Sequence, residues 1–312
     1  MMDLINKNLL NELIKDSRQS WSSLAKKLNV SLNVLKRKVK ELESGVIEGY
    51  VTEINSKFFM EGFIFIYLRL SSKKNIDIQR ALLRINQLKY LYLIQDITNN
   101  FGIFYEFSSL DEKNQLLSFL KNVPFVSNFD IYNFSYTREP LPREIKDVEW
   151  KIISLLKNNS RVPGTKLSEV TGLSANKINY IINKLIEDEI ILFTVKTNPV
   201  KISDKTMYFL LLNMKKFDND FYKKCLNEVK KFSLFNPPII NFTSPHAFLI
   251  NLLGEVNEIQ NLINNICQSP LISSYSTIVW NNYHMGKNWQ DLLIEKKIQS
   301  LRIREHFSKN LF

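Results

Sequence analysis

The chain repeats itself. Laid over itself with a shift of 143 residues, it falls into register without a gap from about residue 6 to residue 47. Leu9-Leu10 lands on Ile152-Ile153, Leu13 on Leu156, Ser17-Arg18 on Ser160-Arg161 and Leu24 on Leu167. Val30-Ser31 lands on Leu173-Ser174, Val39 on Ile182, Leu42 on Leu185 and Ile47 on Ile190. Apolar, polar and capping positions agree together, so the chain carries two copies of one folding unit. The segment Thr137–Glu144 holds two prolines among alternating charges and reads as the linker between the halves.

Each copy begins with a pattern of three helices. Leu9, Leu10, Leu13 and Ile14 make a helical stripe over 4–15. Ser20 or Ser22 caps a short second helix carrying Leu24, Ala25 and Leu28. Asn29 makes the turn, and Ser31 caps a third helix whose inner face is Leu35, Val39 and Leu42. In the second copy Gly172 makes the turn, with Ile178, Ile182 and Leu185 inside. Asn and Gly suit that position because both tolerate positive φ. Two short helices joined this way form a helix-turn-helix, whose second helix fits a DNA major groove. The β-rich runs 49–54 and 190–196 then predict a wing hairpin in each copy.

The rest of each half alternates strand and helix. The first half reads strand 63–70, helix 76–87, strands 90–97 and 101–107, helix 111–121 and strand 126–136. The second reads strand 207–214, helix 219–232, strands 239–242 and 248–253, helix 256–267 and strand 272–280. The order βαββαβ is a ferredoxin-like sandwich. The expected fold class is therefore α+β, two tandem copies of a winged helix-turn-helix plus a ferredoxin-like sandwich. The expected domains are 1–55 and 145–200 (winged helices), 56–138 and 201–283 (sandwiches) and 284–312 (an amphipathic basic helix). Each sandwich leaves one apolar sheet face open. The two faces of one chain could pair with each other as an internal pseudo-dimer, but an eight-residue linker reaches at most about 29 Å, so the favoured expectation is a homodimer in which each face pairs with a second chain.

Several of these segments resemble the leucine-responsive regulator/AsnC (Lrp/AsnC) family of bacterial and archaeal transcription factors. They are Asp16-Ser17-Arg18, Leu24-Ala25-Lys26-Lys27-Leu28, Val30-Ser31, Arg37-Lys38-Val39-Lys40-Glu41-Leu42 and Gly45-Val46-Ile47-Glu48-Gly49-Tyr50. The resemblance implies a DNA-binding regulator and an amino-acid-sensing role for the sandwich. Family members usually carry one copy of each module. Their Gly- and Asp-containing hairpin between the middle strands is replaced here by Thr98-Asn99-Asn100-Phe101 and by Thr243-Ser244-Pro245-His246. Thr98, Asn99, Asn100, Thr243, Ser244 and His246 are accordingly the candidate contacts for a small-molecule effector.

Charge agrees with a polyanionic partner, since the formal net charge is +11. From Ser17 to Leu42 there are seven basic residues, Arg18, Lys26, Lys27, Lys36, Arg37, Lys38 and Lys40, against Glu41 alone. With Ser31 and Asn33 they are the candidate contacts to double-stranded DNA, centred on a recognition helix at residues 31–43. Asn33 and Arg37 suit base edges, because Asn pairs with adenine and Arg with guanine. The second copy offers fewer cations and reads equally as a weaker DNA contact or as a structural relic; its candidate contacts are Asn176, Lys177, Asn179, Tyr180 and Lys184.

Other chemistry finds little support. Cys225 and Cys267 lack metal-type spacing and read as buried thiols, and the three histidines lie in separate segments. No catalytic site, metal or cofactor is expected. The first residues lack the basic head and apolar core of a signal peptide. The longest apolar runs, 63–68 and 207–212, are strand-length, so the expectation is a cytoplasmic chain with no membrane partner. The same two-module architecture also resembles siroheme decarboxylases of heme biosynthesis. That resemblance implies catalytic His and Arg residues on the middle strands. The first half has no histidine and the second only His246 near that place, so the regulator is the leading reading.

Overall fold

Alternation along the strands explains the sandwiches. In β2 (Gly62–Leu70), Ile64, Ile66 and Leu68 face helices, while Phe65 and Tyr67 face the opposite way. In β7 (Thr206–Met214), Tyr208, Leu210 and Leu212 face helices, and Phe209 and Leu211 point away. The central residues of both strands, 64–68 and 207–212, are buried on one side or the other, which is why these runs are nearly unbroken apolar. The computed structural model describes residues 4–88, 92–135, 139–198, 201, 206–230, 232, 239–243, 245–285 and 289–309. These fall into two compact units, one of residues 60–135 with 206–285 and one of residues 4–59 with 139–198 and 289–309.

The first unit holds both sandwiches. In the first, β2, α4 (Asn75–Ile85), β3 (Tyr92–Asp96), β4 (Phe101–Phe107), α5 (Leu110–Lys121) and β5 (Val126–Ser135) give the sheet order β5-β2-β4-β3. In the second, β7, α9 (Asn219–Val229), β8 (Ile239–Thr243), β9 (His246–Gly254), α10 (Val256–Cys267) and β10 (Ile272–Met285) give β10-β7-β9-β8. Both are the expected βαββαβ arrangement. Strand β10 runs five residues past the expected end at Trp280, and that extension pairs antiparallel with β3, making one eight-stranded sheet. The apolar faces meet inside the chain. Phe65 lies 6.3 Å from Phe209 and 6.4 Å from Phe242, ring centre to ring centre. This corrects the expected pairing of sandwich faces between two chains, because the face of each sandwich is covered by the other half of the same chain.

The second unit holds both winged helices. It comprises α1 (Leu4–Lys15), α2 (Trp21–Lys27), α3 (Leu32–Glu43) and β1 (Ile47–Ile54), followed after a 3-10 turn by residues from 139 on. There α6 (Asp147–Leu156), α7 (Gly164–Thr171), α8 (Ala175–Glu187) and β6 (Ile191–Thr197) repeat the pattern. The expected wing hairpins are not formed. Instead β1 and β6 pair with each other, antiparallel, as a two-stranded sheet. Their register places Val51 opposite Thr194, residues exactly one repeat apart, so an approximate two-fold axis passes between them. The expected linker is not a free tether from residue 139 on. Arg143 bonds Glu149 at 2.8 Å and Asp188 at 2.6 Å, and Lys57 pairs with Glu139 at 3.0 Å. The closing helix, α11 (Trp289–Lys309), starts later than expected, because 284 and 285 belong to β10. It buries Ile294 and Leu301 in the core formed around α6 and α8.

Candidate nucleic-acid interface

The turn chemistry read from the sequence is present in both copies. The Ser20 hydroxyl caps α2 by accepting from Ser23 N at 3.1 Å. Ser31 caps α3 through Val34 N and Ser174 caps α8 through Lys177 N, both at 3.3 Å. Asn29 takes φ 53° and Gly172 takes φ 71°, the left-handed turn that joins the two helices. Leu35, Val39 and Leu42 are buried on α3, as are Ile178, Ile182 and Leu185 on α8. The opposite faces are therefore presented to solvent at fixed positions.

On α3 that face carries Asn33, Lys36, Arg37 and Lys40, all exposed, with Lys26 exposed on α2. Among the described residues, Lys26, Lys36 and Lys40 make no ion pair. Lys38 is set apart, because its amine bonds Glu41 at 2.7 Å and its side chain is largely buried, whereas Arg37, 3.8 Å from the same carboxylate, stays exposed. That ion pair, with Asn6 also donating, holds the Glu41 carboxyl below the usual carboxylate range. Lys27 is likewise engaged, by Gln19 at 2.6 Å and Glu12 at 3.1 Å.

Arg18 is a correction. It was expected on the DNA face, and instead it donates to the Ser160 and Val162 carbonyls of the other copy and lies over the Phe193 ring. Arg161 does the reciprocal, donating to the Ser17 and Gln19 carbonyls and stacking on Trp21 and Tyr50. Between them the Ser17 and Ser160 hydroxyls meet at 2.6 Å. Ser17 N donates to Phe193 O, and Ser160 N to Tyr50 O, again one repeat apart. Burial lowers the pKa of both guanidinium groups, which stay charged because they start so high. The Ser-Arg pair present in both repeats is the sequence signal for this clamp, although of these four residues only Arg18 is among the candidate DNA contacts.

The second recognition face is different. Asn176, Lys177, Asn179 and Tyr180 are exposed, with the Lys177 amine 5.1 Å from the Tyr180 ring centre. Lys184 bonds Asp188 at 2.9 Å, which lowers the Asp188 pKa and ties that cation to the helix end.

The expected effector residues divide into two groups. Asp96 is buried and accepts at Oδ1 from Thr98 N, Thr98 Oγ1 and Asn100 N at 2.7–2.9 Å, and at Oδ2 from Tyr67 at 2.6 Å. Burial and Asp96 push the Tyr67 hydroxyl up to about 12. Asn100 also bonds Tyr67 and Thr98, Lys73 bonds the Thr98 carbonyl, and Gln95 bonds Asn99. Thr98 and Asn100 are thus engaged inside the β3–β4 turn, around the buried Asp96 carboxylate. In the other half, Thr243 reaches Asn133 O at 3.4 Å and His246 is exposed opposite Thr243, while Ser244 lies outside the described residues. Among the described residues no group of three His, Cys, Asp or Glu side chains is placed to hold a metal, and no helix is long and apolar enough to cross a membrane.

Comparison with known proteins gives a consistent picture. The winged helix-turn-helix DNA-binding family matches residues 2–48 and again 145–191, the same interval as the repeat. An HTH-type transcriptional regulator of Pyrococcus furiosus is 31% identical over 136 residues, 42% of this chain and 88% of the relative. HTH-type transcriptional regulator LrpA of Pyrococcus horikoshii is 43% identical over 58 residues, 18% of this chain and 41% of that protein. The chain belongs to the Lrp/AsnC family of HTH-type transcriptional regulators. It is a tandem member, since the P. furiosus relative matches nearly end to end within less than half of this chain. Among solved structures, the siroheme decarboxylase NirDL superposes with a TM-score of 0.59 at 12% identity, covering 96% of this chain and 99% of that one. That likeness is one of fold, over both modules and both copies.

Proposed function

We propose that this tandem Lrp/AsnC chain is a sequence-specific DNA-binding transcriptional regulator of the cytoplasm, not an enzyme, whose α3 enters the major groove. One observation carries the reading. A capped, rigidly packed α3 presents Asn33, Lys36, Arg37 and Lys40 to solvent, and with Lys26 this face is basic and set beside a helix-turn-helix turn. Lys and Arg placed there displace counterions from phosphates, while Asn33 and Arg37 have the donors to read base edges. Replacing Lys36 and Arg37 by Ala should weaken binding to a duplex selected from the source genome and lower the salt slope by about one unit per lost phosphate contact. Both side chains are exposed, so circular dichroism should not change. A salt titration with the slope intact would remove α3 from this role.

The full-length fold likeness to NirDL favours a second reading, a siroheme-handling enzyme. Adding siroheme to the purified chain separates the two. A tetrapyrrole absorption spectrum bound stoichiometrically would support the enzyme, and an unperturbed free-ligand spectrum supports the regulator.

A further inference from the structure

The two recognition helices are held in one unit by a two-fold arrangement, yet their outer faces are not copies. The two-fold is seen in the reciprocal Arg18 and Arg161 clamps, the Ser17–Ser160 contact and the Val51–Thr194 pair, each relating residues one repeat apart. The repeat keeps what builds the helix. Ser31 corresponds to Ser174, Leu35 to Ile178, Val39 to Ile182 and Leu42 to Leu185. It changes what the helix shows to solvent. Asn33 corresponds to Asn176, but Lys36 to Asn179, Arg37 to Tyr180 and Lys40 to Asn183, and all of these are exposed.

A two-fold pair of identical helix-turn-helices reads a palindrome because the DNA symmetry mirrors the protein symmetry. Here the frame has the two-fold and the reading faces break it. We infer that one chain reads one asymmetric DNA site, made of two unlike half-sites in inverted orientation. The inference rests on the DNA-binding reading above. The α3 half-site favours guanine at the Arg37 position and carries most of the phosphate attraction. The α8 half-site is read by amides and an aromatic phenol beside one exposed cation, Lys177, which favours adenine through Asn179 or Asn176 and contributes less to the salt slope than α3 does.

The test is selection of the full-length chain on a random-core duplex library, followed by light scattering of the complex. The expected result is two different elements at a fixed spacing, with one chain per duplex. Replacing the α8 element by an inverted copy of the α3 element should lower affinity about tenfold, the value of one good base contact. The triple variant Asn179→Lys, Tyr180→Arg, Asn183→Lys changes exposed positions only and should restore affinity for that symmetrised duplex. A palindromic consensus, a consensus with a single element, or two chains per duplex would each overturn the inference while leaving DNA binding intact. No enrichment of any duplex would overturn the DNA-binding reading itself, and this inference with it.

Discussion

Arg18 and Lys36 are both cations of the first winged helix, and their surroundings give them opposite tasks. Arg18 is half-buried and spends its donors on the Ser160 and Val162 carbonyls, whereas Lys36 is exposed. Arg18→Ala should therefore cost about 1.5–3 kcal/mol of stability, the worth of charge-assisted hydrogen bonds to partners that would be left unpaired. Denaturant titration would read that loss, and the salt slope of DNA binding by the folded fraction should stay put. A reduced slope with normal stability would return Arg18 to the DNA face. Sequence reasoning could list the basic residues of this segment but not sort them, because which cations are consumed depends on packing: Lys27 is held by Glu12 and Gln19, Lys38 by Glu41, and Arg18 by carbonyls of the other copy. The thiols are simpler. Burial pushes Cys225 up to about 12 and Cys267 to about 11, from an ordinary 9.0. The folded thiols thus keep their protons where unfolded ones ionise. Their contribution to stability is complete below about pH 9 and declines as pH rises toward the folded values. Thiol reagents near pH 8 should label both slowly, since the thiolate is the nucleophile, and the buried Cys225 at a rate that follows unfolding. Fast labelling of both cysteines in the native state would contradict this.

At the level of elements, helices and sandwich strands were legible because their periodicity is local. The stripes on α1, α3, α6 and α8 and the alternation on β2 and β7 need no knowledge of the rest of the chain. Pairing was not legible. The runs 49–54 and 190–196 were identified as β-rich, but a strand carries no label for its partner, and a nearby hairpin is the default guess. The β1–β6 pairing and the extension of β10 onto β3 are set by tertiary placement. The closing helix was recognised as amphipathic, and its docking gives its apolar residues a purpose. Ile294 and Leu301 are 3% and 5% exposed, and Gln290 accepts a hydrogen bond from Ile54 N at 2.8 Å. Leu301→Ala should destabilise the winged-helix unit by about 2–5 kcal/mol through lost burial and the cavity left behind. A thermal shift within error of the parent would mean that α11 is not part of that core.

In the whole molecule, like modules join like although the chain alternates them. The expectation of a dimer requires a short linker to span an entire winged helix before the two sandwiches of one chain can meet. That requirement does not hold, because the two winged helices form one compact unit and the two sandwiches form the other. The consequence concerns how stability depends on concentration. If the faces carrying Phe65 and Phe209 paired between chains, dissociation would accompany unfolding and the melting temperature would climb with protein concentration by mass action. When they pair within one chain, as the Phe65, Phe104, Phe209 and Phe242 cluster does, unfolding of that unit is unimolecular. The melting temperature should then be constant across about a hundredfold range of concentration, with light scattering giving the mass of one chain, 36.7 kDa. Phe65→Asp sharpens the measurement. In a two-chain arrangement the charge would release folded half-size particles, whereas here no smaller particle exists and the variant should lose the cooperative transition of the sandwich unit at an unchanged mass. A melting temperature that rises with concentration in the parent chain would show that some other surface joins two chains and shares in holding the fold.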